Sequence, residues 1–366
     1  MQKRLLVLIN PHGGQGKARE IYSLHCEPFL QAAHCVSTVI ETTHRQHATE
    51  IARELDLSLY DAIVCCSGDG IPHEVINGFS QRENDSAKAL REMPICQMPC
   101  GSGNSVAVSL NGSPSPTLAA LDIIKGIPMP VDLMRFSQAS HPHVLTFLSQ
   151  TYGIVADCDL GTENMRWMGG QRFVVGAVMR SLAKASYPCD IYVKYAHEDK
   201  QQVKRHFHEQ QLADAPSPDS KDVLPPLRFG TINDPVPSDW AKLEKPDLAM
   251  FYVGKLPWMS ADALVFPASL PTDGTLDFIT YDATGGRLKS LDVLIKIEKG
   301  QHFHMDEIQY SKVEGYRLVP NIKDGYLSID GESYPLEPFQ VEVLPAAGCL
   351  LSASGSYTKT NLHHSN

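Results

Sequence analysis

A carboxylate between two glycines is the feature of this sequence best suited to chemistry. Asp69 has a glycine on each side and directly follows the apolar run 62–66. Such a run predicts a strand buried on both faces, and the residues 72–79 that follow predict a short helix. Glycines let backbone N–H groups approach an anion closely. Asp69 is therefore expected at the carboxyl end of a strand beside a helix N-terminus, where open α/β sheets bind ligands.

Two further glycine-rich loops follow predicted strands. The loop 10–17 follows a strand over 4–9, and the loop 100–105 follows one over 94–99. Free N–H groups and the dipole of the next helix make such loops favourable for phosphate. The first loop is not a Walker A motif, because Pro11 stands where that motif needs its first glycine.

A polar loop with the same position relative to its strand contains Thr42, Thr43 and Arg45, after a strand predicted over 36–41. The threonines could cap the following helix or contact a ligand, and the two readings are compatible. Loops that follow parallel strands meet at one edge of the sheet. Their repetition predicts a nucleotide site there.

Composition narrows the class of protein. The chain has 366 residues, of which 43% are hydrophobic, so two domains with substantial cores are expected. The net charge of −10 argues against nucleic acid as a partner. Nine cysteines, an odd number, suit a reducing compartment better than a disulfide framework. With no signal peptide, membrane span or metal-ligand spacing recognisable, we expect a soluble cytoplasmic protein without a structural metal.

Three motifs resemble the catalytic domain of the diacylglycerol kinase and sphingosine kinase superfamily. They are Asn-Pro-x-Gly-Gly at 10–14, Ser-Gly-Asp-Gly-x-x-His-Glu-Val-x-Asn-Gly at 67–78, and Pro-x-Gly-Ser-Gly-Asn at 99–104. NAD kinase and phosphofructokinase, which share the Gly-Asp-Gly turn, are more distantly similar. The resemblance implies transfer of the γ-phosphoryl group of ATP to a lipid hydroxyl, with Mg²⁺ as cofactor.

The resemblance also implies roles for individual residues. Asp69 would be the catalytic general base, although a role as Mg²⁺ ligand stays open for Asp69 and for Glu332. The implied nucleotide-binding residues are Asn10, Pro11, His12, Gly13, Gly14, Thr42, Thr43, Arg45, Gln46, Ser67, Gly68, Gly70, Glu74, Gly101, Ser102, Gly103, Asn104, Arg166, Arg172, Asp330, Gly331 and Glu332.

The segment 156–166 is similar to the sphingosine kinase form of the substrate segment, Asp-x-Asp-Leu-x-Ser/Thr-Glu-x-x-Arg. Sphingosine carries an ammonium group beside the hydroxyl to be phosphorylated, whereas ceramide and diacylglycerol do not. A carboxylate pairs with that cation, so Asp159 is the implied amine anchor, with Ser67 and Asp69 as further substrate contacts. Asp159 as a helix N-cap is the alternative.

Two features are ambiguous without the resemblance. Arg166 and Arg172 would reach the ATP phosphates, but exposed helix arginines need no special explanation. Asp330-Gly331-Glu332 would approach the nucleotide, whereas a plain hairpin turn is the alternative.

The predicted fold is α/β followed by β. A Rossmann-like parallel sheet, the nucleotide-binding domain, spans 1–129, and an antiparallel β-sandwich for the lipid substrate spans 130–355. Helical segments are expected over 160–185 and 288–299, together with a mobile loop over 201–240 and a disordered tail over 356–366.

Together these features predict an ATP-dependent kinase for sphingosine or a related sphingoid base. A kinase for diacylglycerol or ceramide, and a pseudokinase that only binds lipid, are the alternatives. Because the substrate is membrane-soluble, transient contact with a membrane surface is expected, and Val175, Val178 and Met179 could insert there. Homodimerisation and phosphorylation at Ser217 stay open.

Overall fold

The structure is a computed structural model that describes residues 2–13, 16–141, 143–161, 186–211, 224–283 and 287–364. The arginines predicted to reach the ATP phosphates, at 166 and 172, lie outside these ranges, as do the predicted membrane residues at 175–179 and the serine at 217.

The N-terminal region is a parallel sheet with helices, as predicted. Its strands run in the order β4–β3–β1–β2, with β2 at the edge. The elements are β1 Arg4–Ile9, α1 Ala18–His25, α2 Glu27–Ala32, β2 Val36–Glu41, α3 His47–Glu54, β3 Ala62–Ser67, α4 Gly70–Ser80, α5 Ser86–Glu92, β4 Ile95–Pro99, α6 Ser105–Asn111 and α7 Pro116–Lys125. All six residues of β3 are buried, which explains its uninterrupted apolar sequence.

The C-terminal region is built from antiparallel strands, as predicted. Most of them form the path β16–β15–β7–β10–β13–β14–β17. The elements are β5 Ile127–Gln138, β6 Val144–Thr146, β7 Ser149–Gly153, α8 Ile154–Gly161, β8 Cys189–His197, α9 Lys200–Gln210, β9 Ala241–Lys245, β10 Leu248–Gly254, β11 Trp258–Ser260, β12 Ala263–Leu264, β13 Leu276–Asp282, α10 Arg287–Ile297, β14 Ile308–Pro320, β15 Leu327–Ile329, β16 Glu332–Tyr334 and β17 Phe339–Ser352.

One long strand joins the two regions. β17 pairs along its length with β5 in antiparallel fashion, and its Leu350 pairs with Ile95 of β4 in parallel fashion. From sequence alone this strand would be expected to end at 344, because Pro345 and Gly348 are typical strand breakers. A bulge between Leu344 and Gly348 accommodates them.

Parts of two predicted irregular segments are ordered within the described residues, which corrects the sequence analysis for those parts. Within the loop expected over 201–240, residues up to 210 belong to α9, whose Val203 and Phe207 are buried in the core. In the tail expected to be disordered, Tyr357 and Leu362 are buried, and the Thr360 hydroxyl donates to the Pro267 carbonyl at 2.7 Å. Apolar contacts with the distant body of the protein order both segments, and local composition does not reveal such contacts.

The core consists of one large apolar cluster in the antiparallel region and a cluster on each side of the parallel sheet. This arrangement leaves the carboxyl ends of β1, β3 and β4 and their loops at the edge of the parallel sheet.

Candidate active site

Asp69 lies in the turn between β3 and α4, and three donors fix its carboxylate. Oδ1 accepts hydrogen bonds from the Gln97 side-chain amide at 3.0 Å and from the Ser105 backbone N–H at 2.8 Å. Oδ2 accepts one from the Ser105 hydroxyl at 3.0 Å. Burial raises the pKa of Asp69, and these hydrogen bonds offset part of the rise. An oriented carboxylate with acceptor capacity left on Oδ2 is suited to receive a proton.

The loop after β4 packs against the Asp69 turn so closely that it requires glycine. A Cβ at Gly101 would lie 2.8 Å from the Gly68 nitrogen, and one at Gly103 would lie 2.8 Å from Asp69 Oδ2. Asn104 holds this loop in shape, because its side chain accepts from the Gly101 N–H at 2.8 Å and donates to the Gly101 carbonyl at 2.7 Å. The loop therefore lies directly beside the candidate base.

The loop after β1 is shaped by Asn10. Its backbone N–H donates to the Cys66 carbonyl at 3.1 Å, which ties the loop to β3. Its side-chain oxygen accepts from the His12 N–H at 3.0 Å, and its carbonyl accepts from the Gly13 N–H at 3.2 Å. Gly14 lies outside the described residues.

Glu74 has a role that the sequence did not predict. Its Oε1 accepts from the Gln46 N–H and its Oε2 from the Ala48 N–H, each at 3.1 Å. Glu74 therefore caps the N-terminus of α3, and this contact with backbone N–H groups holds the loop that contains Arg45. Thr42 and Thr43 precede the helix start by several residues, so neither is its N-cap.

The nucleotide role predicted for Asp330 stays a prediction, and its side chain faces the protein in this structure. Its side chain is completely buried, and its oxygens accept from the backbone N–H groups of Phe147, Leu148 and Ser149 at 2.9 to 3.0 Å. His73 Nδ1 lies 2.9 Å from Asp330 Oδ2. Both carboxylate oxygens of Asp330 therefore accept hydrogen bonds from protein groups, and these bonds hold the backbone of residues 147–149 in place.

Asp330 and Gly331 form the two-residue turn of the β15–β16 hairpin, with φ values of 51° and 83°. Two positive values are typical of a type I′ turn, so the segment forms a hairpin turn, and its approach to the nucleotide stays a prediction. Glu332, just beyond the turn, pairs with Arg45 at 2.8 Å. The hairpin thus reaches the loop that precedes α3.

Asp159 lies inside α8, so the alternative of an N-cap role is not observed. Its Oδ2 accepts a hydrogen bond from the Ser328 hydroxyl of β15 at 2.9 Å. The carboxylate is half-buried on the helix that packs against β7, β10 and β15.

Gln97 and Ser105, which orient the candidate base, were missed by the sequence analysis. Gln97 is a polar residue within the apolar strand β4 and is almost fully buried. A glutamine at such a position is itself a signal, because a buried amide needs partners. No comparable signal marked Ser105, since a serine at a helix start is common.

Within the described ranges, no three His, Cys, Asp or Glu side chains are grouped so that they could hold a metal ion. The helices of those ranges include none with the length and apolar character needed to cross a membrane.

The family model of the diacylglycerol kinase catalytic domain matches residues 4–136 of this chain. Two crystal structures from Bacillus anthracis str. Sterne superpose with TM-scores of 0.65 and 0.61 at 18% identity, and the second is described as a diacylglycerol kinase. Each match covers 96% of this chain and 97% of the other. At this identity the likeness establishes the fold alone.

Sequence relatives are more specific. The chain is 38% identical to sphingoid long chain base kinase 4 of Schizosaccharomyces pombe, over 96% of this chain and 75% of the relative. It is 37% identical to sphingoid long chain base kinase 5 of Saccharomyces cerevisiae, and 29% identical to human sphingosine kinase 1 over 91% of that protein. The chain spans only 60% of the length of the S. cerevisiae protein.

The matched family model identifies a diacylglycerol kinase catalytic domain in residues 4–136. More specifically, the chain belongs to the family of sphingoid long chain base kinases, also called sphingosine kinases. The resemblance inferred from the sequence motifs is confirmed.

Proposed function

We propose that the protein transfers the γ-phosphoryl group of ATP to the primary hydroxyl of sphingosine or sphinganine, giving the 1-phosphate. Family membership supports the use of ATP and of a sphingoid base. The observation that carries the residue-level proposal is the oriented Asp69 carboxylate, which lies beside a glycine loop at the edge of a parallel sheet.

Asp69 acts as the general base in this proposal. The lipid hydroxyl oxygen bonds to the γ-phosphorus, the bond from that phosphorus to the β-γ bridging oxygen breaks, and ADP leaves with that oxygen. Asp69 Oδ2 takes the hydroxyl proton. Gln97 and Ser105 keep the carboxylate oriented throughout. The raised pKa of Asp69 makes it a stronger base than an exposed aspartate.

The glycine loops suit phosphate. Glycine at 68 and 101 lets the two loops pack backbone against backbone, and glycine-rich backbone can present its N–H groups closely to an anion. Arg45 supplies a cation near the same edge of the parallel sheet, and it pairs with Glu332 in this structure.

Mg²⁺ fits this site through few protein ligands. Among the described residues, Glu332 would hold the ion, or Asp69 as the alternative to its role as base, and Mg²⁺ in phosphotransferases usually keeps several waters and phosphate oxygens. When bound, the ion neutralises charge that develops on the phosphate oxygens.

Asp159 anchors the substrate ammonium in this proposal. It is half-buried, so its charge is less screened than at the surface, and a hydrogen bond from Ser328 fixes one of its oxygens. A neutral lipid headgroup has no cation to pair with it. The protein reaches its lipid through transient contact with a membrane surface.

The test is phosphate transfer from MgATP to sphingosine, ceramide and diacylglycerol in mixed micelles. Wild type is expected to phosphorylate sphingosine, and Asp69→Asn should lower kcat by about 10²- to 10⁴-fold with little change in ATP affinity. Asp159→Asn should raise KM for sphingosine. Transfer to a neutral lipid instead would overturn the role of Asp159 but not that of Asp69. ATP binding without transfer to any lipid would favour a lipid-binding pseudokinase.

A further inference from the structure

Three hydroxyl-bearing residues form a row across neighbouring strands close to Asp159. Ser328 of β15 lies directly opposite Thr151 of β7, and Thr151 lies directly opposite Tyr252 of β10. Directly opposed residues of antiparallel strands project from the same face of a sheet. Because α8 packs against all three strands and its Asp159 bonds to Ser328, the row lies on the face covered by α8.

Thr151, in the middle of the row, has an unused hydroxyl. The residue is buried with 4% exposure, and its Oγ1 has no hydrogen-bond partner among the residues that the structure describes. Its neighbour Ser328 is already committed to Asp159. A buried polar atom without a partner is uncommon in proteins and calls for an explanation such as a ligand.

Tyr252 ends the row on β10, opposite Thr151. Burial raises the pKa of Tyr252, and the negative charges of Asp159 and Asp69 add to the rise. The Ser149 side chain hydrogen bonds to the same hydroxyl. The other side of the ring packs edge-on against Phe266, with ring centroids 5.1 Å apart. Tyr252 thus has a polar environment at its hydroxyl and an apolar one at its ring.

We propose that Thr151 and Tyr252 form a hydroxyl subsite that binds the secondary hydroxyl a sphingoid base carries on the carbon next to its amine. The inference rests on the proposed function and names a determinant of substrate specificity within it. Neighbouring strands are about 4.8 Å apart, so Asp159, held at Ser328, and Thr151 on the next strand can each bond one of two vicinal polar groups. Thr151 supplies a donor and an acceptor for that hydroxyl.

The experiment compares kcat/KM for sphinganine with that for 2-aminooctadecan-1-ol, which lacks only the secondary hydroxyl. Wild type is expected to prefer sphinganine by about 10-fold or more, because a site built for a hydroxyl rejects the analogue without it. Thr151→Val keeps the side-chain shape and removes the hydroxyl. It should cut the preference to within about 2-fold, mainly through loss of activity on sphinganine.

Thr151→Ser is the matched variant, since it keeps a hydroxyl and should keep the preference. Tyr252→Phe is an independent second variant and should lower the preference as well. Thr280→Val serves as control: Thr280 pairs with Phe251, projects from the opposite face and hydrogen bonds to Gln309. It should leave the preference unchanged.

Equal losses on both substrates in Thr151→Val and Tyr252→Phe would overturn the subsite and indicate a packing role. Equal use of both substrates by wild type would overturn the subsite alone and leave the proposed kinase activity intact. Failure of wild type to phosphorylate either amino alcohol would overturn the proposed function and the subsite together.

Discussion

His73 Nδ1 and Asp330 Oδ2 lie 2.9 Å apart although 257 positions separate them in the chain. His73 belongs to α4, the helix that begins directly after the Asp69 turn, whereas Asp330 belongs to the β15–β16 hairpin of the antiparallel region. This contact joins the candidate base's own helix to the part of the protein proposed to hold the lipid. The arrangement of the two regions therefore depends on a buried pair that no local motif predicts.

Asp330→Asn tests this contact between the two regions. Asparagine tolerates the positive φ of 51° at this position, so the change removes charge and acceptor capacity without backbone strain. Loss of charged hydrogen bonds to buried N–H groups should lower the free energy of unfolding by about 3 kcal/mol. Urea denaturation measures the change.

The matched control for Asp330→Asn is Glu332→Gln. Glu332 lies two residues away and pairs with Arg45 at the surface, so its loss should cost less than about 1 kcal/mol. If both variants lose equally little stability, Asp330 does not stabilise the contact between the two regions.

The His73–Asp330 pair also predicts a pH dependence. Burial lowers the pKa of His73, but the Asp330 hydrogen bond and charge more than offset this, so the pKa is raised. A raised folded-state pKa contributes stability that is fully present below the unfolded value of about 6.5 and is lost as pH rises through the folded value.

The corresponding measurement is the free energy of unfolding of wild type and His73→Gln over a pH series that spans both sides of about 6.5. The difference between the proteins should be largest at the acidic end and shrink as pH rises. In an Asp330→Asn background burial still lowers the His73 pKa, so the excess of stability at the acidic end should disappear. A difference that grows with pH in the wild-type background would contradict the raised pKa.

Gly78 is predicted to be essential for helix packing, which explains the glycine of the Asn77-Gly78 motif. A Cβ at Gly78 would lie 2.7 Å from the Ala52 Cβ and closer still to the Thr49 carbonyl oxygen, where α4 crosses α3. Gly78→Ala should therefore lower the free energy of unfolding by about 1–3 kcal/mol, measured by urea denaturation. At Gly70 the nearest atom to an added Cβ is 3.8 Å away. Gly70→Ala should leave stability almost unchanged.

Lys312 is buried in a cluster of ionised groups within the antiparallel region. Its Nζ lies 2.8 Å from Asp273 Oδ2 and 3.2 Å from Asp277 Oδ2, and all three side chains are essentially unexposed. Lys312→Met would remove the ion-pair partner of Asp277 and leave Asp273 paired with Lys255, so we expect a loss of about 3–5 kcal/mol. Thermal and urea unfolding measure it.

Lys194→Met is the comparison for Lys312→Met. Lys194 pairs with Asp239 at 2.6 Å, but the pair is at the surface, and its loss should cost far less stability than the loss of Lys312. Similar losses in the two variants would show that the buried cluster is not ionised as described.

Local sequence patterns were sufficient to predict much of the N-terminal fold. The apolar run of β3, the glycines beside Asp69 and the repeated strand-to-loop pattern predicted the parallel sheet and the edge where its loops meet. Each of these signals comes from backbone preferences and burial within a few residues. The motifs were also dense enough to identify the family.

The partners of the carboxylates were decided by the tertiary structure alone. Asp69, Glu74 and Asp330 all stand in similar motifs, beside glycines or at helix starts. The fold directs Glu74 to the N-terminus of α3 and Asp330 to buried backbone N–H groups, and it leaves Asp69 with acceptor capacity beside the glycine loop. The physical reason is that a carboxylate stabilises whichever donors the packing brings to it, and those donors lie up to hundreds of residues away in sequence.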